Sequence, residues 1–104
     1  MKADEFRRIA LSLPDTVEAS HMGHPDFRVR GRIFATLGYP NGAWGMVKLT
    51  PEQQAVLVGA HPEMFTPVPG GWGRKGCTSV NLASADAAAL GQALETAWRN
   101  VTLR

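Results

Sequence analysis

Cysteine is nearly absent from this sequence, in which Cys77 is the only one among 104 residues. A single thiol cannot form an internal disulfide, so a disulfide-supported fold is excluded and a reducing compartment is indicated. Long hydrophobic runs are also missing, and none approaches the ~20 apolar residues that a membrane-spanning helix requires. Residues 1–8 include acidic side chains where a secretory signal has its apolar core. We therefore expect a cytoplasmic protein that does not bind membranes.

A large excess of one charge is missing as well. The 11 Lys and Arg residues outnumber the 9 Asp and Glu residues by a net charge of only +2. Nucleic-acid-binding domains often have a larger positive excess, so the total charge indicates such a partner only weakly. If charge matters, its placement must matter more than its sum. The remaining composition, 44% hydrophobic and 19% charged, is ordinary for a globular chain, and we expect one domain spanning residues 1–104.

The most informative stretch present is residues 23–37, which indicates a β-hairpin. Apolar and basic residues alternate over residues 27–30, as expected of a strand with one buried and one solvated face. Arg30-Gly31 fits a two-residue turn, because glycine readily takes the positive φ that such turns need. The return strand, residues 32–37, is expected to point Ile33, Ala35 and Leu37 to one side.

The rest of the chain predicts helices at both ends and further strands between them. Thr50 and Gln53 form a capping box that should begin a helix reaching about residue 60, and Ser84 is predicted to cap a final helix. The other predicted segments are a helix at 4–13, strands at 17–22, 44–49 and 78–82, and an irregular stretch at 61–73. This order predicts an α+β two-layer sandwich, with an antiparallel sheet covered by the N- and C-terminal helices.

Basic residues are concentrated around two turns. The predicted hairpin holds Arg28, Arg30 and Arg32 within five residues, and Arg28 and Arg30 should share one strand face. Arginine suits a phosphate partner because its planar fork can donate two hydrogen bonds to one anion. Such contacts position a protein on DNA but do not read its sequence. Lys48 on a neighbouring strand, and the pair Arg74 and Lys75, would extend the patch.

A simpler explanation of the same residues stays open. The arginines can solubilise an exposed strand face and protect a sheet edge, and Asp26, Asp15 or Glu18 can neutralise part of the patch. Trp72 likewise has two explanations. A Trp between glycines usually packs over the core and anchors its loop, whereas an exposed Trp can stack on a base.

No pattern of residues predicts a metal site, a cofactor or catalysis. The three histidines His21, His24 and His61 lack the spacing of a zinc site with Cys77. Adjacent Ser20 and His21 do not form a nucleophile–base pair. The cations Arg74 and Lys75 could lower the pKa of Cys77, but no base accompanies that thiol. The glycine-rich loop 70–76 lacks phosphate-loop spacing, and it would be an anion cradle only if its N–H groups converged. We expect a protein that is not an enzyme.

A family resemblance adds to this interpretation. The motif Gly23-x-Pro25-x-Phe27-x-Val29-x-Gly31-Arg32-x-Phe34-Ala35 resembles the central signature of the MmcQ/YjbR-like proteins. Lys48-Leu49 before a capped helix, Pro67, Gly71-Trp72-Gly73 and Gly76-x-Thr78 resemble later parts of the same pattern.

The resemblance implies a sandwich of frataxin-like shape and a role as a small bacterial DNA-binding protein with a double-wing arrangement. The binding residues would be Arg28, Arg30, Arg32, Lys48, Trp72, Arg74 and Lys75. The alternative partner is an acidic protein or a small anion, bound without catalysis. We expect a monomer, although the sequence contains no direct signal of oligomeric state.

Overall fold

Strands dominate the first half of the chain and helices enclose them on one side. The structure is a computed structural model that describes residues 1–103. Its elements, in chain order, are α1 (Ala3–Leu11), β1 (Thr16–His21), β2 (His24–Val29), β3 (Arg32–Leu37), β4 (Trp44–Lys48), α2 (Pro51–Ala60), β5 (Phe65–Pro67), α3 (Gly71–Arg74), β6 (Cys77–Asn81), a 3₁₀ turn (Leu82–Ser84) and α4 (Ala87–Thr102).

The six strands form one sheet in the order β1-β2-β3-β4-β6-β5, and every neighbouring pair is antiparallel. The predicted turn between β2 and β3 is confirmed, since Arg30 and Gly31 both have positive φ, 54° and 79°. This is the backbone that a tight hairpin of two twisted strands requires. The sheet is therefore a meander up to β4, with β5 and β6 added at its far edge.

The helices α1 and α4 pack against one face of the sheet, which confirms the predicted α+β sandwich. Apolar side chains from both layers meet there and are fully buried, among them Phe6, Phe27, Phe34, Leu90 and Leu94. Side chains of the opposite face, such as Met46 and Ser79, line an open groove instead. The two faces of the sheet thus have different roles: one makes the core and the other is left uncovered.

A β-bulge changes the expected alternation in β3. Phe27 pairs with Ala35, but the next residue, Arg28, pairs with Ile33, so that Phe34 has no partner on β2. An extra residue on one strand reverses the inside–outside alternation beyond it. Phe34 and Ala35 are consequently both buried, whereas Ile33 lines the open groove. The expectation that Ile33 shares a side with Ala35 and Leu37 was wrong for this reason.

Helix starts were predicted with mixed success. The capping box of α2 is confirmed: the N–H of Gln53 donates to Thr50 Oγ1 at 3.2 Å, and the N–H of Thr50 donates to Gln53 Oε1 at 2.9 Å. The N-cap of α4 is Asp86, whose carboxylate accepts from the N–H of Ala89 at 2.8 Å. Ser84 was the wrong choice because it lies in the preceding 3₁₀ turn.

The stretch predicted to be irregular, 61–73, contains regular structure. Strand β5 pairs with β6 through Phe65, Thr66 and Pro67, and the single turn of α3 begins at Gly71. A three-residue strand containing proline gives almost no periodicity in the sequence. Among the helices formed by residues 1–103, none has both the length and the apolar character that crossing a membrane requires.

Candidate functional site

The pairing of the strands brings the two basic turns to the same end of the sheet. Ala35 pairs with Val47, so the last residue of β4, Lys48, lies towards the β2–β3 turn. Lys48 pairs with Cys77, and the second basic turn directly precedes Cys77. Strands β3 and β6 are two strand spacings apart, about 10 Å. We call this end of the sheet the basic end, and it comprises Arg30, Arg32, Lys48, Arg74 and Lys75.

The second turn is held in place by a glutamine that the sequence analysis did not single out. From α2, the Gln54 side-chain amide donates to the carbonyl oxygen of Gly73 at 3.1 Å and to that of Cys77 at 3.0 Å. It also lies 3.2 Å from the Thr78 hydroxyl oxygen. A Cβ on Gly73 would fall 1.7 Å from the carbonyl oxygen of Val68, so only glycine permits this close approach. Arg74 and Lys75 therefore project from a fixed turn.

Three N–H groups of the second turn are used within the turn itself. Arg74, Lys75 and Gly76 donate their N–H groups to the carbonyl oxygens of Gly70, Gly71 and Gly73 in the same turn, at 3.0–3.2 Å. Those three donors are already satisfied, so they are not available to an anion. Side chains of the turn are therefore the groups considered below for anion binding.

Arg28 is engaged elsewhere. Its guanidinium donates to both carboxylate oxygens of Asp26, at 2.7 Å and 3.0 Å. The Asp26 side chain is 0% exposed, and its second oxygen also lies 2.8 Å from His21 Nδ1, which must be the donor to an ionised carboxylate. The hydrogen bonds from Arg28 hold the pKa of Asp26 below its ordinary value, against the opposing effect of burial. Neutralisation by Asp26, the simpler explanation considered from the sequence, therefore applies to Arg28.

Within residues 1–103, the five residues of the basic end have no such partners. The ion pairs among residues 1–103 involve Arg7, Arg8, His21, Arg28 and Arg99. None of the described carboxylates lies within 4.0 Å of a basic-end nitrogen. Uncompensated cations that repel one another favour an anionic partner between them.

An apolar groove lies along the open face of the sheet and reaches the basic end. Its volume is about 810 Å³, and it is lined by residues from all six strands and the adjoining turns. Lys48 belongs to both features, and Trp72 lines the groove beside the basic end. At the opposite end, the groove is lined by Met22, Tyr39 and Trp44. Aspartate and glutamate are absent from its lining within residues 1–103.

Trp72 is exposed rather than packed over the core. It is 65% exposed, and the ammonium group of Lys75 lies 5.5 Å from the centroid of its ring. Of the two explanations given for this residue, core anchoring does not apply. Trp98, by contrast, is partly buried against the core, and its ring N–H donates to the carbonyl oxygen of Pro14 at 3.0 Å.

Cys77 and the histidines do not form a reactive centre. Cys77 is 8% exposed, and burial raises the pKa of its thiol although Lys48 and Lys75 act in the opposite direction. Desolvation therefore outweighs the neighbouring cations, and the lowering of the Cys77 pKa considered from the sequence does not occur. In the part of the chain that the structure describes, no three His, Cys, Asp or Glu side chains are grouped as metal ligands would be.

These features define a class of protein: an α+β sandwich with a cationic end and an uncovered aromatic sheet face. The YjbR family model matches residues 11–100, and the chain belongs to the YjbR family. Protein DR2400 of Deinococcus radiodurans, a DUF419 domain, has a similar crystal structure, with a TM-score of 0.78 and 23% identity. The match covers 97% of this chain and 78% of that one, and it concerns the fold alone. No curated protein matches the chain significantly.

Sequence reasoning found the basic residues but missed what surrounds them. Tyr39 and Met22, which are 67% and 91% exposed, were not singled out. Both residues could have been noticed in the sequence, because each lies in or beside a turn between predicted strands, where a large apolar side chain is unusual. The contacts of Gln54 depend on tertiary structure and had no local signal, whereas Asp26 lies two residues from Arg28 on the same strand and was named from the sequence.

Proposed function

We propose that this protein is a non-enzymatic, cytoplasmic DNA-binding domain that acts as a monomer and contacts the phosphate backbone through its basic end. The observation that supports this most strongly is the convergence of two basic turns, distant in sequence, on one end of the sheet, without a carboxylate partner among the described residues. Membership of the YjbR family supports the same interpretation.

The two turns would act as the two wings of a double-wing arrangement. Arg30 and Arg32 form one wing, and Arg74 and Lys75 form the other, with Lys48 between them on β4. Arginine and lysine side chains on fixed turns can bind phosphate oxygens at low ordering cost. Contacts of this kind determine position and orientation on the duplex, and they carry no sequence information. We therefore expect binding that is similar for unrelated DNA sequences.

The hydrogen bonds of the described residues give no support to nucleophilic catalysis. His21 is oriented by Asp26, but in the described chain no serine, threonine or cysteine side chain is hydrogen-bonded to an imidazole. A nucleophile activated by a general base would need that contact.

The proposal is tested by removing one wing without disturbing its turn. Arg30 has a φ of 54°, and asparagine tolerates this region better than other side chains do. We therefore choose Arg30→Asn combined with Arg32→Gln. Two exposed ionic contacts are lost, so affinity for a duplex should fall by about two- to thirty-fold. Fluorescence anisotropy at low salt measures the affinity.

A matched control is Lys2→Gln with Arg8→Gln, because both residues lie at α1 in the helical layer and the change in net charge is the same. This control should leave the affinity almost unchanged. Equal losses in the two double variants would mean that only total charge matters. Such a result would contradict a localised DNA-binding surface.

A small anionic ligand is the second candidate function, and the groove favours it. Its volume of about 810 Å³ falls within the range of small-molecule sites, about 300–1,000 Å³, and its lining contains Lys48 but no described carboxylate. A thermal-shift screen of anionic metabolites tests this, since a ligand at 100 times its Kd should stabilise the fold by ~2.7 kcal/mol. Stabilisation by a metabolite without any DNA binding would favour the second candidate.

A further inference from the structure

Phosphate binding at the basic end does not account for the apolar groove beside it. Phosphate contacts at the basic end involve exposed side chains at the tips of turns. The groove extends away from that end along β4, from Lys48 to Trp44, a distance of about 13 Å. Paired, stacked bases inside a duplex cannot enter such a groove, because their faces are already covered by their neighbours.

Flat aromatic surfaces are present at both ends of the groove. Trp72 is 65% exposed at the basic end, and Tyr39 is 67% exposed at the opposite end, near Trp44. Exposing such large rings to water is unfavourable unless a partner covers them. Antiparallel sheets that present aromatic side chains on an uncovered face bind nucleic acids by stacking unpaired bases on those rings.

The charge and the polar groups of the groove fit the same occupant. Without a carboxylate in its described lining, the groove does not repel phosphates, and Lys48 lies within it. The hydroxyl groups of Thr36, Thr66 and Ser79 also line it, and hydroxyls can donate to and accept from base edges. An acidic peptide would satisfy the cations, but it would leave the three aromatic rings without flat partners.

We propose that the open face of the sheet binds unpaired nucleotides, stacking their bases on Trp72, Trp44 and Tyr39 while the basic end holds the adjoining phosphates. This inference rests on the proposed function and specifies the form of its partner: single-stranded nucleic acid, or the unpaired part of a duplex. Three rings allow up to about three stacked bases, the number that comparable sheet surfaces hold.

The test compares a single-stranded thymidine oligomer of about 12 nucleotides, a length within known single-strand site sizes, with a duplex of the same length. Stacking on Trp should quench the intrinsic fluorescence with the single strand but not with the duplex. Trp72→Ala should weaken single-strand binding by about five-fold or more and change duplex binding by less than about two-fold. Trp72→Phe, which keeps a flat ring, should restore most of the single-strand affinity.

Control variants show whether a loss of single-strand binding comes from base stacking rather than from a change in charge or in folding. Trp98→Phe removes a tryptophan on the helical side of the sheet, away from the groove. The fraction of the remaining tryptophan fluorescence that the single strand quenches should therefore rise. Tyr39→Ala, at the far end of the groove, should also weaken single-strand binding and leave duplex binding unchanged. Because the Trp72 and Tyr39 side chains are mostly exposed, Trp72→Ala and Tyr39→Ala should keep the melting temperature of the wild type, and a selective loss then reports on binding.

The outcomes distinguish this inference from the proposed function. If the duplex binds while Trp72→Ala has no selective effect, the stacking inference is overturned and the DNA-binding proposal stands. If neither nucleic acid binds at about 50 mM salt, the proposed function fails as well. Thymidine monophosphate binding as tightly as the oligomer, or polyglutamate binding as tightly with equal quenching, would overturn the inference in favour of a small ligand or an acidic peptide.

Discussion

Replacing Asp26 with asparagine removes the charge of a fully buried side chain while keeping its shape. The carboxylate accepts two hydrogen bonds from Arg28 and one from His21. Hydrogen bonds to charged groups contribute about 1.5–3 kcal/mol each, more than neutral ones. Since Arg28 and His21 are 32% and 43% exposed and regain water when released, we discount their share. We expect Asp26→Asn to lower the free energy of unfolding by about 2 kcal/mol.

The loss should depend on pH in a defined direction. The Arg28 guanidinium holds the pKa of the folded Asp26 carboxyl below its value in the unfolded chain. The unfolded chain then binds more protons in acid, so the stabilisation is present above about pH 3.9 and is lost as the pH falls through the lower folded pKa. The difference between wild type and the D26N variant should therefore be full at neutral pH and should disappear in strong acid.

Thermal and urea unfolding, followed by circular dichroism, measure this difference. For a domain of this size, about 2 kcal/mol corresponds to a decrease in Tm of roughly 8–16 °C. Glu95→Gln is the control, because Glu95 forms an exposed i,i+4 pair with Arg99 on α4, and its loss should cost no more than about 0.5 kcal/mol. Equal stability of D26N and wild type at neutral pH, or a difference that persists unchanged in strong acid, would refute the reasoning.

Two further predictions concern the second basic turn. Gly73→Ala would place a Cβ 1.7 Å from the Val68 carbonyl oxygen. The substitution should therefore lower the free energy of unfolding by about 1–3 kcal/mol, as measured by urea unfolding. An unchanged urea midpoint would contradict the close approach of the two backbone segments. The raised pKa of the buried Cys77 thiol leaves little thiolate at neutral pH. Alkylation of Cys77 should therefore be much slower in the folded protein than in urea, and mass spectrometry of timed samples measures the two rates. Equal rates would show that Cys77 is accessible.

The fold was largely predictable because its signals are local. The Arg30-Gly31 turn needs two residues of positive φ, and the capping box joins residues only three apart. Both were read directly from the sequence and are confirmed. The bulge at Phe34 was not predictable, since it arises from the pairing of β3 with β2 and both flanking residues are hydrophobic.

The site was predictable only in part, for a physical reason. Arginine and lysine positions are visible in any sequence, so the members of the basic end could be named. Which of the nearby carboxylates pairs with which cation is settled by the folded structure: Asp26 pairs with Arg28, two residues away, and Arg30 lies beyond it in the turn. The exposure of Trp72 and the groove beneath it depend likewise on which face of the sheet the helices leave uncovered.

The salt dependence of duplex DNA binding tests the central claim most directly. The five cations of the basic end, which have no carboxylate partner within residues 1–103, should neutralise about five phosphates. This gives a slope of log K against log salt near −4.5, or about 500-fold weaker binding at 200 mM than at 50 mM salt. The variant with Arg30→Asn and Arg32→Gln should reduce the slope to about −2.7, while the Lys2 and Arg8 control keeps that of the wild type. A slope near zero, or one that does not change when the two arginines are removed, would contradict this account.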